Sequence, residues 1–145
     1  MYKIKYKSIS FIYINTMLFK YIAGNTINKS LKFATMLRRK GEIPIFNYAV
    51  ESPKKQLHTF QEYEKLANKI QNTDKVALKL SSLNYDKKLI NDIIDIYSDK
   101  KMNIIIDAES NTYNEIYQCT VNELILKYNK TYPCVTKTYQ MYRKD

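Results

Sequence analysis

Four short apolar runs recur along the chain about thirty residues apart, and a stretch of helical period precedes each of them. The runs are IPIF (43–46), VALKL (76–80), NIII (103–106) and PCVTKT (133–138). Their ends fall near Asn47, Lys79, Asp107 and Thr138, at separations of 32, 28 and 31 residues. Strands that are apolar on both faces and alternate with helices belong to parallel sheets. A unit of this length is that of successive right-handed crossovers. Two architectures satisfy the pattern: an open doubly wound sheet, and part of a (β/α)8 barrel.

The intervening stretches carry helix signals. Over 26–40, Ile27, Leu31, Ala34 and Leu37 share one helical face, and Gly41 follows as a stop. Ser52-Pro53 opens a second helix, with proline suited to its first position. Leu57, Phe60, Ala67 and Ile70 supply that helix's apolar side. Asp86 caps a third, in which Leu89, Ile90, Ile93, Ile94 and Tyr97 form a stripe ending at Lys100-Lys101; lysines there suit the negative end of a helix dipole. Thr112 with Glu115 reads as a capping box for a fourth, with Tyr117, Val121, Leu124, Ile125 and Tyr128 on one face.

In both architectures, sites are built at the carboxyl ends of the strands. Those ends carry Asn47-Tyr48 with Glu51, then Lys79, then Asp107 and Glu109, then Gln140. A single polar strand end is explained by a helix cap or a solvated loop. A lysine between Leu78 and Leu80, and two carboxylates around Ala108, call for more, and convergence on one site accounts for them. The chain has only two glycines, Gly24 and Gly41, so it holds neither G-x-G-x-x-G nor a P-loop. The lone His58, on an expected helix, has no triad partner or metal-ligand spacing and reads as a surface residue. No metal site is expected.

At 145 residues and 26% charged, the chain has the size and balance of one globular domain. Its net charge of +10 invites a nucleic-acid reading. The excess is local, however: residues 1–41 hold nine Lys or Arg and no Asp or Glu, and the chain is nearly balanced from Glu42 onward. That distribution disfavours a nucleic-acid partner. Residues 1–16 alternate lysine with apolar side chains, which reads as a basic extension of strand type rather than as a targeting helix or secretory signal. No apolar run approaches the roughly 20 residues needed to span a bilayer. Cys119 and Cys134 show neither metal-ligand spacing nor a disulfide framework, and read as reduced thiols of an intracellular protein.

Five segments in order resemble the proline dehydrogenase family, over residues 17–145. YIAGNT is similar to that family's F-x-A-G-E-T, IFNYAVE to its L-D-Y-x-x-E, and VALKLSSL to a strand ending K-x-[ST]-A-L. IIIDAESNTYNEIY resembles its D-A-E-x-[ST]-Y segment, and TYQMYRKD its N-T-Y-Q-x-Y-x-K-D. Each motif is short; their order at successive strand ends is what makes the likeness specific.

The resemblance implies a (β/α)8 fold of which this chain supplies about four β/α units, a half barrel. It implies oxidation of L-proline to Δ1-pyrroline-5-carboxylate, with hydride passing to FAD and a quinone as reoxidant. By motif, Lys79 would lie beside flavin and the substrate carboxylate, and Asp107 beside both flavin and proline. Asp107 and Ala108 would approach the flavin, and Gln140 would bond its ring edge. A mitochondrial setting is also compatible with the family. Two departures stand out. Asn47 replaces the first-strand aspartate, and the 145 residues contain neither R-G-A-Y nor the arginine pair that holds the proline carboxylate. Arg38-Arg39 sit at a helix end remote from the strand ends and read as dipole complements. Three expectations follow: a truncated or split enzyme inactive alone, an apolar inner sheet face left uncovered, and either a separately encoded carboxyl-terminal half or self-association. The alternative is a non-catalytic binding module, a half barrel with a protein partner or a basic protein on nucleic acid.

Overall fold

The computed structural model describes residue 23 and residues 26–48, 56–109 and 114–141. The expectations for residues 1–16, Gly24, Glu51, Ser52-Pro53, Thr112 and residues 142–145 lie outside them. Helices and strands alternate: α1 (Ile27–Arg39), β1 (Ile45–Asn47), α2 (Gln56–Ala67), β2 (Lys75–Leu78), α3 (Lys87–Asp99), β3 (Asn103–Ile106), α4 (Asn114–Tyr128) and β4 (Val135–Lys137). A 3-10 turn, Leu80–Leu83, is inserted between β2 and α3. The four strands form one sheet in the order β1-β2-β3-β4, and every pair is parallel.

Register explains which face is buried. Phe46, Val76, Ile104 and Val135 stand in one row, and all four are buried. Two residues on, Leu78 and Ile106 are fully buried as well. Because side chains alternate along a strand, these rows share the face covered by helices. Over them pack Tyr63 and Leu66 of α2, Ile90, Ile93, Ile94 and Tyr97 of α3, and Tyr117, Val121 and Leu124 of α4. The other face is mixed rather than apolar. Ile45, Ala77 and Ile105 share it with Asn47, Asn103 and Thr136, and the Asn103 amide donates to Thr136 Oγ1 at 2.8 Å and to the Pro133 carbonyl at 2.8 Å.

Tyrosine hydroxyls fasten helices to the layers beside them. Tyr63 of α2 donates to the Ala77 carbonyl at 2.8 Å, and Tyr97 of α3 donates to the Tyr63 carbonyl at 2.8 Å. Burying a hydroxyl without a partner costs about 1–3 kcal/mol in proteins, so these bonds keep the aromatic packing compatible with only one seating of each helix. In α2 the apolar side differs from expectation: Leu57 is 63% exposed, and Thr59, Tyr63 and Leu66 take the core face with Ala67. The reason is that Tyr63 and Thr59, four residues apart, bury one stripe that a count of aliphatic residues alone does not reveal.

The charged helix ends also find more specific partners than a dipole. Arg38 holds Asp74 through Nε to Oδ1 at 2.8 Å and through Nη2 to Oδ2. Asp74 is 1% exposed and accepts the Gln71 N–H as well. Arg38 therefore locks α1 to the amino end of β2, and the pairing raises its guanidinium pKa further. Lys100 reaches across to α2, donating to the Ala67 carbonyl at 2.8 Å and to Asn68 Oδ1 at 2.7 Å.

Both α1 and α3 end in the same way. After α1, Gly41 adopts φ +77, and the Glu42 N–H returns to the Leu37 carbonyl at 3.1 Å. After α3, the equivalent left-handed position is held by Lys101 (φ +54), with the Met102 N–H on the Tyr97 carbonyl at 2.9 Å. A side chain in that conformation is strained where glycine is not. Lys101→Gly is expected to stabilise the protein by up to about 1 kcal/mol, read as a higher midpoint in thermal or urea unfolding; an unchanged or lower midpoint would refute the strain argument.

Candidate functional site

The hydrogen-bond ladder continues past the last paired residues. The Asp107 N–H donates to the Leu78 carbonyl at 2.9 Å, and the Thr138 N–H to the Ile106 carbonyl at 3.1 Å. These bonds bring the carboxyl ends of β2, β3 and β4 to one rim. Alternation then assigns sides: Leu78 and Leu80 are buried beneath the helices, so Lys79 follows Ala77 to the opposite face, and Asp107 follows Ile105 there. Lys79 and Asp107 are half-buried. Among the described residues, neither the Lys79 ammonium nor the Asp107 carboxylate has a hydrogen-bond or ion-pair partner. Asn47, at the end of β1, is exposed.

The two carboxylates around Ala108 part company. Glu109 is 5% exposed and turns into the protein, where Oε1 accepts the Ser81 N–H at 2.9 Å and Oε2 accepts the Ser81 hydroxyl at 3.1 Å. Both oxygens are committed to the 3-10 turn after β2. Spacing in the sequence does not reveal this pairing, since Ser81 and Glu109 lie 28 positions apart.

Ala108, Glu109 and Gln140 lie on the wall of one cleft of about 340 Å³, with Asn114, Tyr117, Gln118, Thr138 and Tyr139. Lys79 and Asp107 are not part of that wall. The volume is at the lower end of the roughly 300–1,000 Å³ typical of ligand pockets. Beside the cleft, the Lys137 ammonium bonds Gln118 Oε1 and lies over the rings of Tyr117 and Tyr139, 5.9 and 5.1 Å from their centroids. Tyr117 also clasps the rim itself, its hydroxyl donating to the Ile106 and Thr138 carbonyls at 3.4 and 3.3 Å.

Away from the rim, His58 is exposed on α2 and its Nδ1 is 3.1 Å from the Tyr48 hydroxyl. Among the described residues, no group of three His, Cys, Asp or Glu side chains could hold a metal ion, and no helix is long and apolar enough to cross a membrane.

Four parallel strands alternating with helices are compatible with part of a (β/α)8 barrel. The proline dehydrogenase family model matches residues 30–145. The chain belongs to the proline dehydrogenase family. No curated protein matches it. The matched span includes all four strands, the cleft and each of Lys79, Asp107, Ala108 and Gln140.

Tyr117 offers a test of how the rim is held. Burial, followed by the negative charges of Asp107 and Glu109, pushes its hydroxyl pKa up to about 12. A free tyrosine ionises near pH 10. The folded value is the higher, so the contribution is complete below about pH 10 and is lost as pH rises toward about 12. Urea unfolding across that window is expected to show falling stability, and Tyr117→Phe should flatten part of the fall while costing roughly 1 kcal/mol at neutral pH. An identical alkaline profile in Tyr117→Phe would show that this hydroxyl is not responsible.

Proposed function

We propose that these residues form part of a flavin-linked proline dehydrogenase, a half (β/α)8 barrel whose family reaction takes L-proline to Δ1-pyrroline-5-carboxylate. One observation carries the reading: three adjacent parallel strands deliver Lys79, Asp107 and Gln140 at the same ends, in the order in which the family's motifs occur. Right-handedness of the three crossovers between the four strands would place α2, α3 and α4 outside such a barrel, which suits a core on one sheet face.

The residues present fit the polar edge of a flavin ring in chemistry. Gln140 has both an amide donor and an acceptor, and it shares the cleft with the Ala108 backbone and the amides of Asn114 and Gln118. FAD, when bound, supplies the hydride acceptor, with a quinone as the later oxidant. Lys79 would contribute a cation for the substrate carboxylate, and Asp107 an acceptor, from the open face of the same rim. Desolvated, preorganised charges of this kind act most strongly where water is excluded.

The same reading makes the isolated chain inactive. Arg38 is already committed to Asp74 at the amino end of the sheet, so it cannot serve as a carboxylate clamp at the opposite rim. Loss of such a clamp costs several kcal/mol of positioning. Among the described residues, β1 and β4 are each paired along one edge only, which leaves room for a carboxyl-terminal half or a second copy.

Co-expression with the carboxyl-terminal half of a complete family member tests this. Flavin absorbance and proline-dependent dye reduction are expected from the mixture and not from the 145-residue chain, and Lys79→Met should weaken flavin retention in the mixture. Turnover by the chain alone would overturn the half-site reading. A mixture without flavin or turnover would favour a non-catalytic binding module.

A further inference from the structure

We propose that Glu109 is the positioning residue of the strand-end site, acting through Ser81 to hold Lys79 in place. The proposal rests on the reading of Lys79 as the cation beside the flavin.

Glu109 is the answer to why the third strand ends in two carboxylates. Asp107 stays on the open face, while Glu109, at the cleft wall, accepts from Ser81 with both oxygens. A carboxylate 5% exposed is costly to bury without such donors. Each of its oxygens already accepts one bond from Ser81, so besides lining the cleft it acts on the turn that follows β2.

The route to Lys79 is short. Ser81 belongs to the turn Leu80–Leu83, and Lys79 is the residue that leads into it, in an extended conformation (φ −100, ψ 112). The Lys79 carbonyl accepts the Ser82 N–H at 3.1 Å and the Ser82 hydroxyl at 2.6 Å. On its other side, the Leu78 carbonyl is held by the Asp107 N–H. Lys79 is thus bracketed between two ties to the β3 end, one through Asp107 and one through Glu109.

The turn is closed from within by the Asn84 N–H on the Ser81 carbonyl at 3.1 Å and the Tyr85 N–H on the Leu80 carbonyl at 3.2 Å, and Glu109 adds an external tie. It closes on Asn84 (φ +51) and Tyr85 (φ +56), two successive non-glycine residues in the left-handed region. Such a pair is unfavourable in a free chain. The two bonds that Ser81 donates to Glu109 reinforce this conformation from outside, and with it the direction in which Lys79 leaves the strand.

The test measures Lys79 directly, without flavin. The 145-residue protein and its Glu109→Ala and Glu109→Gln variants are acetylated with trace acetic anhydride, and the rate at each lysine is mapped by mass spectrometry. In Glu109→Ala, which loses both bonds from Ser81, Lys79 should react at least about fivefold faster, the factor that a single ordinary hydrogen bond is worth in an equilibrium. In Glu109→Gln, whose amide keeps both an acceptor and a donor toward Ser81, the rate should stay near that of the parent. The exposed Lys88 and Lys130 should be unchanged in both, with the fold checked by circular dichroism. An unchanged Lys79 rate in folded Glu109→Ala would overturn the proposal, as would a parallel rise at Lys88 and Lys130, which would mean general loosening. If Glu109→Ala does not fold, Ser81→Ala removes only the hydroxyl contact and should give a smaller rise at Lys79; no rise would also overturn it. Unaltered flavin retention in Lys79→Met would end the flavin role of Lys79 while leaving the labelling result intact.

Discussion

Everything in this fold depends on one face of a four-stranded parallel sheet being removed from water. Phe46, Val76, Ile104 and Val135 align across the strands, and the helices have no comparable apolar surface to pack against. Parallel pairing obliges each strand to be followed by a crossover, and the crossover is where the helices come from. Once that row is buried, the alternation of side chains decides which residues lie on the other face at the rim.

The polar interactions settle what the apolar ones leave loose. Hydrophobic burial is non-directional, so a helix could slide along the sheet at little cost. Tyr63, Tyr97 and Tyr117 each donate to a backbone carbonyl of a neighbouring element, and Lys100 reaches the end of α2. Arg38 and the buried Asp74 tie α1 to the sheet's amino end; removing one partner of such a pair typically costs about 3–5 kcal/mol. At the carboxyl end, Glu109 has a corresponding place. The two ends of β2 are thus anchored by different carboxylates, one paired with a guanidinium and the other with a serine.

Much of this was legible in the chain itself. The roughly thirty-residue repeat, the parallel strands and the α3 stripe follow from periodicity, because apolar spacing is dictated by which face is buried. Strand limits were less so: VALKL suggests a strand to Leu80, yet β2 ends at Leu78 and Leu80 enters a 3-10 turn. Leu57 misleads because its hydrophobicity is not matched by position, whereas the hydroxyl-bearing Thr59 and Tyr63 take the core. The identity of the rim residues could be read from strand ends, but their partners could not. Arg38 with Asp74 and Ser81 with Glu109 are contacts 36 and 28 residues apart, set by register between strands rather than by any local pattern.

The division between the two sheet faces has an evolutionary consequence. Residues that hold the fold and residues that can meet a ligand alternate along the same strands, yet they answer to separate demands. A change at Asn47, Lys79 or Asp107 alters the chemistry on offer without opening a cavity in the packed layer. Drift at these strand-end positions therefore costs the fold less than drift in the buried row. Such a lineage can shed or exchange a reaction while its scaffold persists, and the scaffold remains recognisable long after the activity has been renegotiated.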